Sequence, residues 1–192
     1  MLELIKSCFE ENIAATQKAL TELADPISQA CDMIIESYKN SGGVYVFGNG
    51  GSAADAQHIA GELVGRFKLE RKALRAQALS TDTSILTCLA NDYSYEMIFA
   101  RQLEANARPG DIALGLSTSG NSANVVQAFE YARENGIKTI AITGQAGGKC
   151  TELADCLIAI PSNNTPRVQE VGMLVYHIIC QQVEAVLASL EK

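Results

Sequence analysis

The sequence predicts an α/β fold in which a five-stranded parallel sheet is covered by helices on both faces. Short, mostly apolar runs recur along the chain, and helical stretches such as residues 121–135 separate them. Strands that alternate with helices form a parallel sheet, because each helix carries the chain back to the edge where the next strand begins. The predicted strands are residues 44–47, 75–79, 112–116, 138–142 and 157–160.

Length and composition predict a single domain that spans residues 1–192. A chain of 192 residues with 47% hydrophobic residues can bury one full core and is short for two. Within this domain we expect a helical segment over residues 1–40, followed by the sheet and its flanking helices over residues 43–192.

Two helices are expected before the first strand. In the first, apolar residues recur at helical spacing from Leu2 to Leu23. The second is expected to begin with Asp25 as its N-cap and Pro26 in its first turn. One of the two packs either on the chain's own sheet or on another subunit, and the sequence leaves both open. The last segment, residues 167–190, is apolar on most sides, which is typical of a helix in a core or an interface.

Charge, cysteine pattern and hydropathy exclude several classes of function. The formal net charge of −7 and the pI near 4.9 act against non-specific nucleic-acid binding, which depends on neutralising phosphates. The six cysteines form no C-x-x-C pair and no secretion signal is recognisable, so we expect reduced thiols and a cytoplasmic protein. No apolar run approaches the roughly 18 residues of a membrane span, so we expect no membrane association.

Three loops that follow predicted strands carry unusual residues, at the edge where parallel sheets bind ligands. The first, from Gly48 to Ala53, fits the dinucleotide pattern G-x-G-x-x-A. That pattern also needs an acidic residue roughly 20 residues on, whereas Asp82 lies about 30 on. The second, from Gly144 to Cys150, is one residue too short for a P-loop and has a cysteine where magnesium needs a hydroxyl. Neither loop is therefore expected to bind a nucleotide, and the second is predicted to be a turn.

The third loop predicts a phosphate site. It follows the strand at residues 112–116 and carries four hydroxyls in six residues at the start of a helix. Hydroxyl donors, free helix amides and the positive end of the helix dipole together suit a phosphate monoester. Ordinary N-capping by Ser119 or Asn121 is the alternative, although it explains only one hydroxyl. The hydroxyls belong to Ser117, Thr118, Ser119 and Ser122, with Ser52 contributing from the first loop.

The chain has two histidines, and both are candidate metal ligands. His58 and Glu62 are four residues apart, on one face of the helix that follows the first glycine loop. His177 lies in the apolar last segment, eight residues after Gln169, which on a helix is about 12 Å of rise. An ion pair on a solvated face for His58 and a satisfied core position for His177 are the structural alternatives. We hypothesise that the ligands of one site come from more than one subunit, which makes the active site an interface feature.

Taken together, these motifs resemble the sugar isomerase (SIS) domain family over nearly the whole chain. The resemblance implies a flavodoxin-like three-layer sandwich, a homotetramer, and one zinc ion per subunit. The implied zinc ligands are His58, Glu62, Gln169 and His177. The implied substrate contacts are Asn49, Gly50, Gly51, Ser52, Glu62, Asn91, Asp92, Ser117, Thr118, Ser119, Ser122 and Gln169.

The resemblance also implies an aldose–ketose isomerase that acts on a phosphorylated seven-carbon sugar. The expected reaction converts sedoheptulose 7-phosphate to glycero-manno-heptose 7-phosphate, the first step of ADP-heptose synthesis for the lipopolysaccharide core. Glu62 is the expected base for the carbon-bound proton and His177 its partner at the oxygens, although the two can exchange roles. The alternatives are isomerisation of another phosphosugar and a non-catalytic replication-initiation regulator with the same fold. Such regulators lack the acidic residue that stands here as Glu62.

Overall fold

A five-stranded parallel sheet lies at the centre of the computed structural model, which describes residues 1–190, and this confirms the predicted fold class. The strand order is β2-β1-β3-β4-β5, the order of flavodoxin-like folds. Each predicted strand is present, with its ends moved by no more than two residues. The strands are β1 (Val44–Gly48), β2 (Ala76–Ala78), β3 (Ile112–Ser117), β4 (Lys138–Gly144) and β5 (Cys156–Ile160).

Eight α-helices, counted over residues 1–190, precede, connect and follow the strands. A short 3₁₀ turn, Tyr95–Met97, lies between the fourth and fifth of them. The helices are α1 (Leu2–Glu22), α2 (Ala24–Lys39), α3 (Gly51–Val64), α4 (Thr83–Asp92), α5 (Ala100–Asn106), α6 (Ala123–Glu134), α7 (Cys150–Leu153) and α8 (Thr165–Leu190).

The sheet separates two hydrophobic cores. Successive side chains of a strand point to opposite faces, so Val44 and Val46 of β1 enter one core while Tyr45 and Phe47 enter the other. Helices α1, α2, α3 and α8 cover the first face, and α4 to α7 cover the second. All five residues of β1 are buried, as expected for a central strand covered on both sides.

The two leading helices are confirmed, but the predicted cap between them is wrong. α2 begins at Ala24, one residue before Asp25, and no side chain caps it. Leu23 has helical backbone angles, and its amide bonds to Ala19 O while its carbonyl accepts from the Ile27 amide. The chain therefore passes from α1 to α2 almost without interruption and needs no N-cap side chain at the junction.

Helix α1 leaves most of its apolar stripe exposed. Within residues 1–190 it buries Ala15 and Ala19 and packs mainly on α8. The stripe consists of Leu2, Ile5, Phe9, Ile13 and Leu20, all exposed. Of the two arrangements that the sequence left open, packing on the chain's own sheet does not account for this face of the helix.

Contrary to the sequence-based expectation that no segment reaches the length of a membrane span, helix α8 is long and apolar enough, by length and composition alone, to cross a membrane. It packs on the sheet instead, where Val168, Val171, Val175 and Ile179 belong to the first core. The core helix of a soluble protein meets the same test of length and composition. Burial in the core therefore explains one face of the helix, whereas Leu174, Ile178 and Val186 on α8 are exposed. Both observations fit the sequence-based prediction of a core or interface helix.

Candidate active site

The first glycine loop turns β1 into α3 and lies against α8. β1 ends at Gly48 and α3 begins at Gly51, with Gly50 between them at a φ of 56°. A β-carbon at Gly51 would lie 2.6 Å from Nε2 of Gln169, so a larger residue there would displace the Gln169 side chain. This close approach brings Gln169, in the first turns of α8, against the start of α3.

The hydroxyl loop after β3 lies at the same edge of the sheet. Ser117 is the last residue of β3, and its Oγ lies 3.0 Å from Oγ of Ser122, the residue before α6. Ser119 Oγ accepts a hydrogen bond from the Asn121 amide, which forms a turn within the loop. Because α6 begins at Ala123 and has no side-chain cap, N-capping by Ser119 or Asn121 does not explain these hydroxyls.

The loop at residues 144–150 supports the hydroxyl loop. It is a turn, as predicted, with Gly147 and Gly148 at φ values of 68° and 56°. The Asn121 side chain accepts from the Lys149 amide at 3.0 Å, and a β-carbon at Gly120 would collide with the carbonyl of Gly147. The two loops therefore interlock through their backbones.

His58, Glu62 and His177 form a cluster with the geometry of a metal site. One donor atom from each lies within 4.8 Å of the other two. His58 Nε2 is 3.1 Å from Glu62 Oε1 and 3.4 Å from His177 Nε2. Burial lowers the pKa of His177, neighbouring His58 lowers it further, and Glu62 opposes both. A lowered pKa favours the neutral imidazole, which is the form that binds metals.

Gln169, the fourth predicted ligand, lies about two turns of α8 before His177. Eight residues of helix, about 12 Å of rise, separate it from His177. It lines a cavity of about 20 Å³ together with Ser52, Ser117 and Thr118. The structure thus joins three of the four predicted metal ligands and places the fourth beside the two loops.

Comparison with known proteins identifies the family. A model of the SIS domain matches residues 8–144. A phosphoheptose isomerase of Helicobacter pylori (strain P12) is 48% identical over 182 residues, which is 95% of each chain. One from Akkermansia muciniphila is 51% identical over 172 residues, 90% of this chain and 91% of its own. The chain belongs to the phosphoheptose isomerase family. The resemblance inferred from the sequence motifs is confirmed.

Solved structures of the phosphoheptose isomerase family have the same fold over nearly the whole chain. The enzyme from Neisseria gonorrhoeae aligns with a TM-score of 0.91 at 41% identity, covering 96% of this chain and 98% of its own. The one from Francisella tularensis aligns with a TM-score of 0.93 at 35% identity, with the same coverage.

The remaining predicted substrate contacts of this phosphoheptose isomerase family member lie on or beside α4. Asn91 and Asp92 are exposed at its end, where a hydrogen bond from Asn91 and a second from Cys88 lower the pKa of Asp92. Tyr95, three residues further on, donates to Oδ1 of Asn49 at 3.0 Å. This contact ties the segment after α4 to the first glycine loop.

A buried asparagine connects the same loop to α6. Asn124 and Asn49 exchange two side-chain hydrogen bonds, at 2.9 and 2.8 Å. Asn124 was not among the predicted site residues. It lies two residues after Ser122 in a helix start that the sequence had already marked, so its position alone could have suggested it.

Two further residues missed by the sequence-based prediction contact the histidine cluster. The Tyr176 hydroxyl lies 3.2 Å from Asp55 Oδ1 and 3.1 Å from His58 Nδ1. Burial raises the pKa of both Asp55 and Tyr176, and the hydrogen bond between them moderates the shift at Asp55. Asp55 is three residues before His58 and Tyr176 is next to His177, so helical spacing was the one available signal.

Proposed function

We propose that this chain interconverts sedoheptulose 7-phosphate and glycero-manno-heptose 7-phosphate, an aldose–ketose isomerisation. One observation carries the proposal: His58 and Glu62 of the cluster lie about two to three turns along α3, the helix whose first turn forms part of the edge proposed to bind phosphate. A phosphosugar held at that edge extends toward groups that can move protons. The names of the relatives supply the seven-carbon substrate.

We propose zinc as the metal of the cluster. Two imidazoles and a carboxylate are a donor set of catalytic zinc sites, in which three protein ligands leave a position open for water or substrate and the coordination can expand to five. Gln169 of a neighbouring subunit is proposed as the fourth ligand, since Gln169 of the same chain lies about 12 Å along the helix from His177. When bound, zinc would polarise the sugar carbonyl as a Lewis acid.

The proton transfers are assigned to two side chains. Glu62 removes the proton from C1 of the ketose, which gives an enediol, and returns a proton to C2 to form the aldose. His177 carries the accompanying proton between the two oxygens, as its neutral imidazole can both accept and donate. Of the two side chains, Glu62 is therefore assigned to the carbon-bound proton and His177 to the oxygens.

The phosphate end is proposed to lie in the hydroxyl loop. Ser52, Ser117 and Thr118 line one small cavity there, and Ser119 and Ser122 complete the set of hydroxyls. Binding energy from this remote end holds the reacting carbons against Glu62 and His177. The backbone of Asn49, Gly50 and Gly51, with the side chains of Asn91, Asp92 and Gln169, is proposed to contact the sugar hydroxyls.

The working form is proposed to be a cytoplasmic homotetramer with its active sites at subunit interfaces. The exposed apolar stripe of α1 supports assembly, since large exposed apolar patches mark interfaces. The net charge of −7 gives no support to a nucleic-acid partner. The product is proposed to enter ADP-heptose synthesis for the lipopolysaccharide core.

Proton NMR in deuterated water tests the reaction directly. Zinc-loaded protein and sedoheptulose 7-phosphate should yield the aldose heptose phosphate with solvent deuterium at C2. Glu62→Gln should lower the rate by roughly 100- to 10,000-fold, the usual contribution of a positioned acid-base group. Glu70→Gln, which changes a carboxylate with 91% side-chain exposure, is the matched control and should keep full activity.

Absence of turnover in zinc-loaded, correctly assembled protein would overturn the heptose assignment. Turnover of a different phosphosugar under the same conditions would keep the isomerase and change its substrate. If no phosphosugar is turned over, the alternative of a non-catalytic regulator with the same fold is favoured. Full activity of Glu62→Gln would remove Glu62 from the proposed chemistry.

A further inference from the structure

The Tyr176 hydroxyl bridges a carboxylate and a histidine of the cluster. Tyr176 is 1% exposed and reaches from α8 to two residues of α3. Its oxygen lies 3.2 Å from Asp55 Oδ1 and 3.1 Å from His58 Nδ1. Its ring stands nearly perpendicular to both imidazoles, with centroids 5.4 Å from that of His58 and 4.9 Å from that of His177. The hydroxyl is therefore held in place from several sides.

Counting protons fixes the direction of these hydrogen bonds. A phenol has one hydrogen, whereas an ionised carboxylate can only accept. Tyr176 must then donate to Asp55, and its oxygen is left to accept from Nδ1–H of His58. A neutral imidazole with its hydrogen on Nδ1 has its lone pair on Nε2. That nitrogen faces Glu62 Oε1 and His177 Nε2, at 3.1 and 3.4 Å.

The opposite arrangement would close the cluster to a metal. If His58 carried its hydrogen on Nε2, it would donate to Glu62, and no lone pair would face the other donors. Glu62 favours this second tautomer, because its carboxylate is an acceptor at hydrogen-bond distance. For the proton to lie on Nδ1, a hydrogen-bond acceptor on that side of the ring must compete with Glu62 for it. The Tyr176 hydroxyl, which is itself bonded to Asp55, is the group in contact with Nδ1.

We propose that Tyr176 and Asp55 are positioning residues that hold the His58 imidazole with its Nε2 lone pair directed into the cluster. This inference rests on the proposed function, in that it assigns a role toward the metal that the cluster would bind. Hydrogen-bonding partners behind a metal-binding histidine fix its tautomer and ring orientation, and their loss typically weakens metal binding 10- to 100-fold.

Zinc affinity of Tyr176→Phe, measured by competition with a chromophoric chelator, tests the inference without any assay of activity. The change removes one hydroxyl and keeps the ring. We expect zinc to bind roughly 10- to 100-fold more weakly. The matched control is Tyr45→Phe, because Tyr45 is also buried and its hydroxyl donates to a backbone carbonyl, that of Asn106, rather than to the cluster. The control should bind zinc as tightly as the unchanged protein.

Histidine NMR gives a second readout that a general loss of packing would not imitate. Because the chain has two histidines, protein labelled with ¹⁵N in histidine gives signals from His58 and His177 alone. In the zinc-loaded protein we expect a proton on His58 Nδ1 that exchanges slowly with water. In Tyr176→Phe, this proton should exchange faster or disappear, and Asp55→Ala should act in the same direction.

The outcomes separate this inference from the function on which it rests. Weaker zinc binding by Tyr176→Phe, with Tyr45→Phe unchanged, supports the positioning role. Equal zinc affinity in Tyr176→Phe and the unchanged protein, or a His58 Nδ1 without a proton, overturns it and leaves the metal site standing. Failure of the unchanged protein to bind zinc overturns both the metal site and this inference, whereas the isomerase itself would still be decided by turnover.

Discussion

Arg71 and Glu184 form an ion pair in which both side chains are 1% exposed. Arg71 Nε lies 3.4 Å from Glu184 Oε1, and the same carboxylate accepts hydrogen bonds from the amides of Phe67, Lys68 and Leu69. Glu184 thus anchors the segment after α3 onto α8. This buried pair is connected to the candidate site through two contacts.

Both contacts lead to proposed catalytic residues. Arg71 Nη2 donates to the backbone carbonyl of Glu62 at 2.9 Å. Phe67, whose amide bonds to Glu184, packs against His177 with ring centroids 5.5 Å apart. A single carboxylate therefore supports both the end of α3 that carries Glu62 and the aromatic neighbour of His177.

Removal of the Glu184 charge should destabilise the fold. Glu184→Gln leaves Arg71 buried without its counter-ion, and breaking a buried ion pair in this way costs roughly 3–5 kcal/mol. Urea unfolding at fixed protein concentration measures the loss. Glu104→Gln, which breaks the exposed pair with Arg101, is the control and should cost about 0–1 kcal/mol. Equal losses of unfolding free energy in the two variants would show that the buried pair stabilises the fold no more than the exposed one.

The Glu184 carboxylate should also make the free energy of unfolding depend on pH in the acid range. Burial acts to raise the pKa of Glu184, but the three amide hydrogen bonds and Arg71 outweigh it and the pKa is lowered from 4.5. The contribution to stability is complete above the unfolded-state value of 4.5 and is lost as pH falls through the lower folded-state pKa. We would measure urea unfolding from pH 6 down to pH 3 in steps of about one pH unit. The free energy of unfolding should fall less over this range in Glu184→Gln than in the unchanged protein. Parallel declines would contradict the assignment.

Loss of a loop hydroxyl should weaken phosphate binding. Ser117→Ala removes a buried hydroxyl that bonds to Ser122, and a hydrogen bond to a charged group contributes about 1.5–3 kcal/mol. If the hydroxyl bonds to the phosphate, loss of that energy lowers kcat/KM roughly 10- to 150-fold. Inorganic phosphate should also compete less well with the substrate. Ser189→Ala, at an exposed site near the end of α8, is the control. Unchanged inhibition by phosphate in Ser117→Ala would place the phosphate elsewhere.

Mixing two inactive variants tests whether subunits share the site. Gln169→Ala and Glu62→Gln should each be inactive alone. If Gln169 serves the cluster of a neighbour, hybrid tetramers contain intact sites, and random one-to-one mixing should restore roughly a quarter of the activity. If both residues act within one chain, no intact site forms and mixing restores nothing. Variants mixed without subunit exchange are the control.

Disruption of the apolar stripe on α1 should reduce assembly. Phe9→Glu places a charge on the stripe, and we expect a lower mass by light scattering coupled to size-exclusion chromatography. Thr21→Glu introduces the same charge at an exposed position away from the stripe and should leave the mass unchanged. A tetramer that tolerates Phe9→Glu would show that another surface carries the assembly.

Local patterns predicted the elements of this fold well, because strands and helices differ in the period of their apolar residues. The central strands were clear, whereas β2 shortened to Ala76–Ala78, an edge segment of small and polar residues. Asp25 was assigned as a cap because local sequence does not reveal that α1 runs directly into α2. Tertiary context decided that boundary.

From local patterns alone, the candidate site was predictable only where its residues are neighbours in sequence, and the family resemblance was needed to join His177 to His58 and Glu62. The spacing of His58 and Glu62 and the density of hydroxyls after β3 were visible in the chain itself. The contacts of Tyr176 with Asp55 and of Glu184 with Phe67 join residues 121 and 117 positions apart. Such pairs depend on how α8 packs on α3, and no local pattern encodes that packing.

The interlocked loops at Gly120 and Gly147 limit how this chain can change by mutation. A side chain at Gly120 would strike the neighbouring loop's carbonyl, and one at Gly148 would strike the carbonyl of Ser119. A lineage that reshapes one loop must reshape the other in the same step or pass through a damaged intermediate. New specificity at the proposed phosphate end is therefore more accessible through exchange of hydroxyl side chains than through remodelling of the backbone that presents them.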